Sequence, residues 1–560
     1  MVSALIKIIS KKVDGIKQAA FFIGFFVLLS QILALVRDRL LAFYIGPGET
    51  LDIYYAAFRI PDILFVTVAS LISVASVVPH FTEKYLKDGT HVEAKKLLDS
   101  LFTFFVLFLF IVGIILFIFM PQIVSIIVPG FTEDQIIKTI SVSRVMLLSP
   151  LLLGISNLFG SVTQYFRRFA VFGLSPVLYN LGIIIGVVFL LPIFGIKGLA
   201  LGVVLGGVLH LVIQLPVLMQ EKMIPSFVSK IDFDGVKKVI FSSLPRTLAL
   251  SFSTLVMVAL VSMSTTISTG AVSLLQFSYN LQSVPLAIIG MSFSVAAFPA
   301  LATAFVMGDK NKFNSELASS FRQIIFWALP VMVLFIVLRS HIVRVILGTN
   351  NFTWDNTKIV AATLSLFVIS VVAQSIVMLM SRAFYATKKT IWPLICNGAS
   401  SVIIIILAVY FIFINDTSFI YNILINLFKL ESVPQASIIM LAFSFSVGSI
   451  LNLMFLIWSA KRHLEFDFFA VLNKSLLKTF AGSVVLGVAT YAVLYFSSPI
   501  FGLSTLSQVF LQGLLAGSVG IFFYLISQEF FGSDEYKAVR ATLKKKIIGE
   551  PAIAPETTLN

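Results

Sequence analysis

Residues 19–45 read AAFFIGFFVLLSQILALVRDRLLAFYI, a stretch that is almost entirely apolar until Arg37. A helix needs about 20 mostly apolar residues to cross a hydrocarbon core of roughly 30 Å. The stretch therefore predicts a membrane-spanning helix that carries a charged cluster of Arg37, Asp38 and Arg39 in its last third.

Similar stretches recur along the whole chain, whose 560 residues are 58% hydrophobic and only 12% charged. Soluble domains carry about 25% charged residues, so this composition excludes a soluble globular enzyme. The single cysteine, Cys396, excludes an intrachain disulfide. Fourteen stretches are long enough to span a membrane, near residues 19–45, 51–79, 98–120, 141–166, 169–192, 196–219, 238–265, 270–305, 319–338, 359–386, 390–414, 434–460, 475–498 and 505–530. We predict an all-α integral membrane protein with about fourteen transmembrane helices.

The distribution of Lys and Arg predicts the orientation of these spans. With the N-terminus inside, the cytoplasmic segments hold 29 of the 40 basic residues and the outer loops hold six. Cytoplasmic loops are enriched in Lys and Arg, so both termini are expected in the cytoplasm. No small-residue cleavage site follows the basic N-terminus, so no cleaved signal peptide is expected. The net charge of +14 then reflects topology and contact with anionic membrane lipids, and no nucleic-acid partner is expected.

Paired motifs predict an internal repeat of six plus six spans. Pro176 to Asn180 and Pro393 to Asn397 both read Pro-x-x-x-Asn, and both begin a span. Helical transporters are often built from two such related halves. The predicted organisation is a cytoplasmic amphipathic N-terminus (1–18), an N-lobe of spans one to six (19–219), a cytoplasmic linker (220–237), a C-lobe of spans seven to twelve (238–460), spans thirteen and fourteen (461–532) and a basic, partly disordered cytoplasmic tail (533–560).

The charged residues of the first two spans are the strongest functional candidates. An ionisable group at mid-bilayer costs about 2.5 to 3.5 kcal/mol, so these residues should face each other or a wet cavity. Ser30 and Arg37 are two helical turns apart and share a face, and Arg59 and Asp62 are adjacent on theirs. The pattern indicates an electropositive cavity that binds an anionic group through arginine forks. The alternative is a solvated salt-bridge cluster at the membrane edge.

Several motifs resemble those of the MurJ (MviN) lipid II flippases, of the multidrug/oligosaccharidyl-lipid/polysaccharide exporter superfamily. They are Arg37-Asp38, Gly46 to Asp52, Phe58-Arg59-Ile60-Pro61-Asp62, Leu244-Pro245-Arg246 and Arg382-Ala383-Phe384-Tyr385. The resemblance implies two six-helix lobes around a central cavity for a diphosphate-sugar-peptide head group. It also implies that spans thirteen and fourteen form an apolar groove for a polyprenyl tail. The candidate substrate-binding residues are Ser30, Arg37, Asp38, Arg39, Asp52, Arg59, Arg246 and Asn280.

The chain departs from the family pattern at three positions. Gln31, Phe65 and Asn280 stand where the family carries arginines. Each lost guanidinium could remove charge-assisted contacts of about 1.5 to 3 kcal/mol. Either Arg39, Arg59 or Arg246 compensates, or the head group differs.

These observations leave four hypotheses. The first is a flippase for an undecaprenyl-diphosphate-linked cell-wall precursor in the bacterial cytoplasmic membrane, working by alternating access beside cell-wall synthesis proteins. The others are a flippase for another polyprenyl-linked glycan, a small-molecule or cation antiporter, and a non-transporting scaffold. The sequence contains no G-x-x-x-x-G-K-[ST] or H-E-x-x-H motif. No catalytic residue, metal or cofactor is expected, and the coupling ion stays open.

Overall fold

The computed structural model describes residues 16–72, 74–414, 418–468, 474–501 and 505–548. The predicted N-terminal segment 1–18 and tail 533–560 therefore lie partly outside the described residues. All regular structure within these ranges is helical. The helices of the first half are Ile16–Tyr44 (α1), Glu49–Ala57 (α2), Arg59–Leu71 (α3), Val74–Asp88 (α4), Val92–Ile127 (α5), Glu133–Met146 (α6), Leu148–Tyr165 (α7), Phe169–Ile185 (α8), Leu191–Phe194 (α9), Ile196–Val212 (α10), Leu215–Gln220 (α11) and Phe233–Thr265 (α12). The helices that follow are Ala271–Pro285 (α13), Ser292–Val306 (α14), Lys310–Val337 (α15), Arg339–Leu347 (α16), Trp354–Ala386 (α17), Ile391–Val409 (α18), Phe419–Phe428 (α19), Ile438–His463 (α20), Lys474–Phe501 (α21), Leu506–Phe530 (α22) and Asp534–Ile548 (α23).

Twelve helical segments in the described part of the chain are long and apolar enough to cross a membrane. They coincide with predicted spans three to fourteen. Predicted span one is helix α1, whose 29 residues carry the Arg37 cluster five residues before the C-terminal end of the helix. Predicted span two is not one continuous helix but consists of three shorter helices, α2, α3 and α4.

Pro61 explains the discontinuity between α2 and α3. A proline has no N–H, so the carbonyl four residues earlier, that of Ala57, loses its helical donor. The Ser143 hydroxyl of α6 donates to this carbonyl at 3.2 Å. Irregular backbone at membrane depth requires such a partner, because lipid supplies none.

The described Cα positions divide the chain into two compact units. The first comprises the described residues of Met1–Val284, Ile346–Phe367 and Thr390–Asn452, and the second those of Pro285–Val345, Val368–Lys389 and Leu453–Asn560. The lobe boundaries drawn from the sequence stay a prediction.

Within the first unit, glycines allow close packing of α8 and its π-helical continuation, Gly186–Leu190, against α10. A Cβ atom built on Gly186 would lie 2.5 Å from the Cα of Gly202, so only glycine fits at this contact. Helix α1 also packs against α8, and α12 packs against α18. The first pair corresponds to predicted spans one and five, and the second to predicted spans seven and eleven. The two pairs occupy equivalent positions in the predicted repeat.

Within the second unit, α15, α21 and α22 pack together. Phe326, Leu486 and Tyr524 form a buried apolar cluster among these three helices. The Tyr524 hydroxyl donates to the Phe326 carbonyl at 2.7 Å, so the polar end of this buried ring is satisfied.

The linker of residues 220–237 is attached to the first turns of α5 by its backbone. Three of its N–H groups donate to side-chain oxygens of α5, namely Ser226 to Asp99 (2.8 Å), Val228 to Thr103 (3.1 Å) and Asp232 to Ser100 (3.0 Å). The Asp232 carboxylate also caps α12, accepting from the Gly235 N–H at 2.9 Å and from the Lys84 Nζ at 3.0 Å. The Gly235 N–H and the Lys84 ammonium lower the pKa of Asp232.

Candidate functional site

Four of the predicted site residues line one cavity of about 260 Å³ in the first unit. They are Ser30, Arg37 and Asp38 of α1 and Asn280 of α13. The remaining lining residues are Gln31, Ala34, Leu35, Tyr179, Asn180, Ser283 and Val284. The cavity therefore combines one guanidinium and one carboxylate with amides and hydroxyls.

Arg37 is the only cation among the lining residues. Its Nε and Nη2 donate to Asp38 Oδ1 at 2.9 and 2.8 Å, and its Nη1 donates to Asn180 Oδ1 at 3.2 Å. A guanidinium has five N–H groups, and these three contacts use three of them. One N–H on each terminal nitrogen has no partner among the described residues. Such a pair matches two oxygens of one phosphoryl group or carboxylate.

Asp38 neutralises Arg37 and is itself held by Asn280. Its side chain is 2% exposed, and its Oδ2 accepts from Asn280 Nδ2 at 2.8 Å. Because both members of the Arg37–Asp38 pair line the cavity, the lining carries no net charge. The lining thus differs from the electropositive cavity that the sequence predicts, because Asp38 turns to the same side as its neighbour.

A chain of hydrogen bonds continues from Asn280 to Arg59. Asn280 Oδ1 accepts from Gln276 Nε2 at 2.7 Å, and Gln276 Oε1 accepts from Arg59 Nη2 at 3.0 Å. Arg59 is 7% exposed, and its Nε donates to the Tyr55 carbonyl at 3.2 Å. Its Nη1 lies 3.6 Å from Asp62 Oδ2. Arg59 thus does not line the cavity, but two amide side chains link it to the Arg37–Asp38 pair.

Asn180 connects α8 to the face of α1 that carries Ser30 and Arg37. Its Nδ2 donates to Ser30 Oγ at 3.1 Å, and its Oδ1 accepts from Arg37 as described above. One side chain therefore reaches both residues of the predicted seven-residue spacing, which confirms that they share a face. In the related motif, Asn397 Oδ1 accepts from Asn452 Nδ2 at 2.8 Å.

The sequence did not identify Asn180, Gln276 or Tyr179 as site residues. The sequence marked Asn180 as part of a repeat and, like Gln276, as a polar residue that bonds between helices, but not as a residue that contacts Arg37. Gln276 and Asn280 are four residues apart, a spacing that places both on one helical face and could have indicated their contact.

Asp52 lies at the start of α13 and does not line the cavity. Its Oδ2 accepts from the Gly270 N–H at 2.5 Å, and its Oδ1 accepts from the Ser273 N–H at 2.8 Å. The first N–H groups of a helix lack helical partners, and a carboxylate is the strongest acceptor for them. Asp52 therefore anchors the helix that carries Gln276 and Asn280.

Of the two remaining candidates, Arg39 has a described side chain, and it is not among the residues that line the cavity. Arg39 Nη1 donates to the Ile346 carbonyl at 3.3 Å, which connects α1 to the end of α16. The Arg246 side chain lies outside the described residues.

The arrangement is suited to binding. One guanidinium fork provides a contact for an anionic group, and neutral amides and hydroxyls around it can bond to polar groups of the same ligand. A concave site with a few convergent polar groups is typical of small-molecule binding.

Comparison with known proteins identifies related sequences. A family model described as "Lipid II flippase MurJ" matches residues 41–511. The lipid II flippase MurJ of Burkholderia cenocepacia is 25% identical over 384 residues, which cover 67% of this chain and 74% of that protein. A probable lipid II flippase MurJ of Buchnera aphidicola is 26% identical over 378 residues, covering 66% of this chain and 73% of that protein.

Solved structures show the same fold. A lipid II flippase MurJ in an inward closed conformation matches with a TM-score of 0.72 at 22% identity, covering 91% of this chain and 98% of that chain. An inward-facing multidrug transporter of the MATE family matches with a TM-score of 0.63 at 14% identity, covering 80% and 96%. Both comparisons identify an all-helical, multi-pass membrane fold. Because the family model matches well over half of its residues, the chain belongs to the MurJ lipid II flippase family.

Proposed function

We propose that this chain moves lipid II, the lipid-linked peptidoglycan precursor, from the inner to the outer leaflet of the bacterial cytoplasmic membrane. The observation that carries the proposal is the Arg37 fork in the polar cavity of a chain that the MurJ family model matches. Alternating access, in which the cavity opens first to one side and then to the other, is the mechanism used by helical transporters built from repeats.

In this mechanism the diphosphate of the precursor contacts Arg37. The guanidinium provides two N–H groups, and the amides of Asn180 and Asn280 lie beside it. Charge-assisted bonds of this kind contribute about 1.5 to 3 kcal/mol each. The sugar and peptide hydroxyl and amide groups bond to the neutral lining, which would otherwise lose its contact with water.

The polyprenyl tail lies along the exposed apolar surface of α21 and α22 in this proposal. Tyr495 and Phe496 of α21 are 67% and 74% exposed, and Phe522 of α22 is 59% exposed. Exposed apolar side chains of this density are typical of a lipid-facing surface. Both termini face the cytoplasm, where basic segments contact anionic lipid head groups, and cell-wall synthesis proteins receive the product on the opposite side.

The test is complementation in a bacterium depleted of its own lipid II flippase. We expect the wild-type chain to restore growth and the Arg37→Ala variant to fail at equal membrane abundance. Arg144→Ala is the matched control, because Arg144 is not among the residues that line the cavity and instead donates to the Phe117 carbonyl of α5 at 3.2 Å. Growth of the Arg37→Ala strain at the wild-type rate would contradict the role of the fork.

A flippase for another polyprenyl-linked glycan is the second candidate, and the absence of net charge in the cavity lining favours it. Asn280 stands where an arginine is expected, and it is bonded to Asp38. Failure of a well-expressed wild-type chain to complement, together with binding of a different polyprenyl-linked glycan, would support this candidate. Cation antiport is less well supported, because Asp38 is the only carboxylate among the lining residues and it is paired with Arg37.

A further inference from the structure

A polar cluster in the first unit joins α7 to the end of α10. It consists of Ser156 of α7, His210 of α10 and Gln214, which lies between α10 and α11. Ser156 Oγ lies 2.6 Å from His210 Nδ1 and 2.9 Å from the His210 carbonyl oxygen. Gln214 Nε2 donates to Ser156 Oγ at 2.6 Å. Ser156 and Gln214 are 0% and 1% exposed, whereas His210 is partly exposed.

This cluster can bond to the His210 ring in either protonation state without the movement of a heavy atom. A neutral imidazole can accept the Ser156 hydroxyl proton at Nδ1, whereas an imidazolium donates from both ring nitrogens. When Nδ1 donates to Ser156 Oγ, the hydroxyl proton can turn to the His210 carbonyl, which is already within hydrogen-bond distance. Nε2 has no hydrogen-bond partner among the described residues, so a proton that arrives there displaces no existing contact.

Tyr179 connects the cluster to the cavity that contains Arg37. Its ring meets the His210 ring edge to face, with the centroids 6.5 Å apart, and the same residue lines the cavity. Gly206, one helical turn before His210, leaves room for this contact, because a Cβ atom there would lie 3.0 Å from Tyr179 Cδ2. One aromatic ring therefore separates His210 from the cavity.

No carboxylate forms an ion pair or hydrogen bond with His210 in the described part of the chain. Tyr179 is the titratable side chain that contacts the ring. The charged residues on or just beyond the helices that pack against α10 have partners elsewhere, in the contacts Lys138–Glu49, Lys138–Asp134, Arg144–Phe117 carbonyl, Asp52–Gly270 N–H and Glu221–Arg168. The remaining titratable residues of α10 and of these helices are Glu133, Lys197, Tyr54, Tyr55 and Tyr165. A proton on His210 would thus add a net positive charge beside the cavity.

We propose that His210 takes up a proton when an anionic head group binds at Arg37. The inference rests on the proposed function and deepens it, because it links the affinity for the head group to pH. The cavity lining carries no net charge, so in the empty protein a proton on this partly buried ring has no negative charge to balance it. A bound phosphoryl group supplies that negative charge, and each of the two charges then strengthens the binding of the other.

The proton comes from water and returns to water when the head group leaves. It provides positive charge in a site where Gln31 and Asn280, which stand at positions of expected arginines, do not. His210 acts here as a positioning residue for charge, because Tyr179 stands between it and the cavity.

The test measures the affinity of the purified protein for lipid II at pH 6 and pH 8, in nanodiscs of uncharged lipid. The wild-type affinity should be about five- to tenfold higher at pH 6, a coupling at the lower end of the range for two interacting sites. His210→Asn keeps a hydrogen-bonding group near the position of Nδ1 but cannot titrate, so its affinity should be the same at both pH values. Calorimetry in two buffers of different ionisation enthalpy should show proton uptake by the wild type on binding and none by His210→Asn.

His341→Asn is the matched control. His341 is another partly exposed histidine in a helix that contacts a glutamine, with its Nε2 3.0 Å from Gln512 Oε1, and it belongs to the second unit. This variant should keep the wild-type pH dependence and proton uptake. If His210→Asn does not fold, Ser156→Ala provides a second variant. It removes the oxygen that accepts from a protonated Nδ1, so the rise in affinity should occur at a lower pH than in the wild type.

Equal pH dependence in the wild type and in the folded His210 or Ser156 variant would overturn the inference and leave the proposed function intact. So would binding of lipid II by the wild type without proton uptake. A folded wild-type protein that does not bind lipid II at either pH would refute the proposed function and the inference with it.

Discussion

Replacing Asp52 with alanine should destabilise the protein without removing a contact to the head group. The carboxylate is 2% exposed and accepts two backbone N–H groups, at 2.5 Å from Gly270 and 2.8 Å from Ser273. Hydrogen bonds to a charged group contribute about 1.5 to 3 kcal/mol each, so losing both should cost about 3 kcal/mol or more. The assay is thermal unfolding of the purified variant in detergent, where we expect a midpoint several degrees below that of the wild type.

Glu49→Ala is the control on the same short helix. Glu49 is exposed and forms an ion pair with Lys138 at 3.0 Å, and exposed pairs contribute about 0 to 1 kcal/mol. This variant should unfold close to the wild-type temperature. An Asp52→Ala protein that unfolds like Glu49→Ala but no longer binds lipid II would refute the capping role. It would restore the interpretation of Asp52 as a substrate ligand that the sequence suggests.

Three further predictions concern the remaining contacts. Gln276→Leu removes one acceptor of the buried Arg59 guanidinium, so the unfolding free energy should fall by about 1.5 to 3 kcal/mol in a thermal unfolding assay. Gly202→Leu inserts a side chain where a Cβ would already lie 2.5 Å from the Gly186 Cα. Such overpacking should lower the free energy of unfolding by about 1 to 3 kcal/mol or more, and the fraction of monodisperse protein in size-exclusion chromatography should fall. Because the pKa of Asp232 is lowered, its contribution is present above its unfolded pKa of about 3.9 and is lost only as pH falls through the lower folded value. After correction for the intrinsic exchange rate, the hydrogen-exchange rate of the linker amides should therefore stay constant from pH 5 to 8. The same rate should be higher in the Asp232→Asn variant.

Much of the fold could be predicted from the sequence, because crossing a membrane imposes a length and a composition on each helix. In lipid the backbone groups of a span bond within its own helix, so each span forms a long apolar stretch. Such a stretch can be recognised in the sequence without knowledge of the tertiary structure. Predicted spans three to fourteen coincide with helices for this reason. Predicted span two is divided instead. Its division depends on Pro61 together with the Ser143 hydroxyl of another helix, a partner that lies 86 positions away from the carbonyl it serves.

The candidate site could be predicted only in part. The sequence indicated Ser30 and Arg37 because helical periodicity places residues seven apart on one face, and it indicated Arg59 and Asp62 by the same rule. The sequence predicted an electropositive cavity because it shows which charged residues are present but not how their side chains are oriented. In the structure Asp38 lies against Arg37, and the lining carries no net charge.

The sequence by itself determined the membrane class, twelve of the fourteen predicted spans, and the helix faces that carry charge, because these follow from local composition and period. Only the tertiary structure decided which polar groups meet. The contacts of the Asn180 and Gln276 amides and the capping role of Asp52 depend on contacts between helices far apart in the chain. A hydrogen bond requires donor and acceptor within about 3 Å, and no local pattern in the sequence encodes that distance.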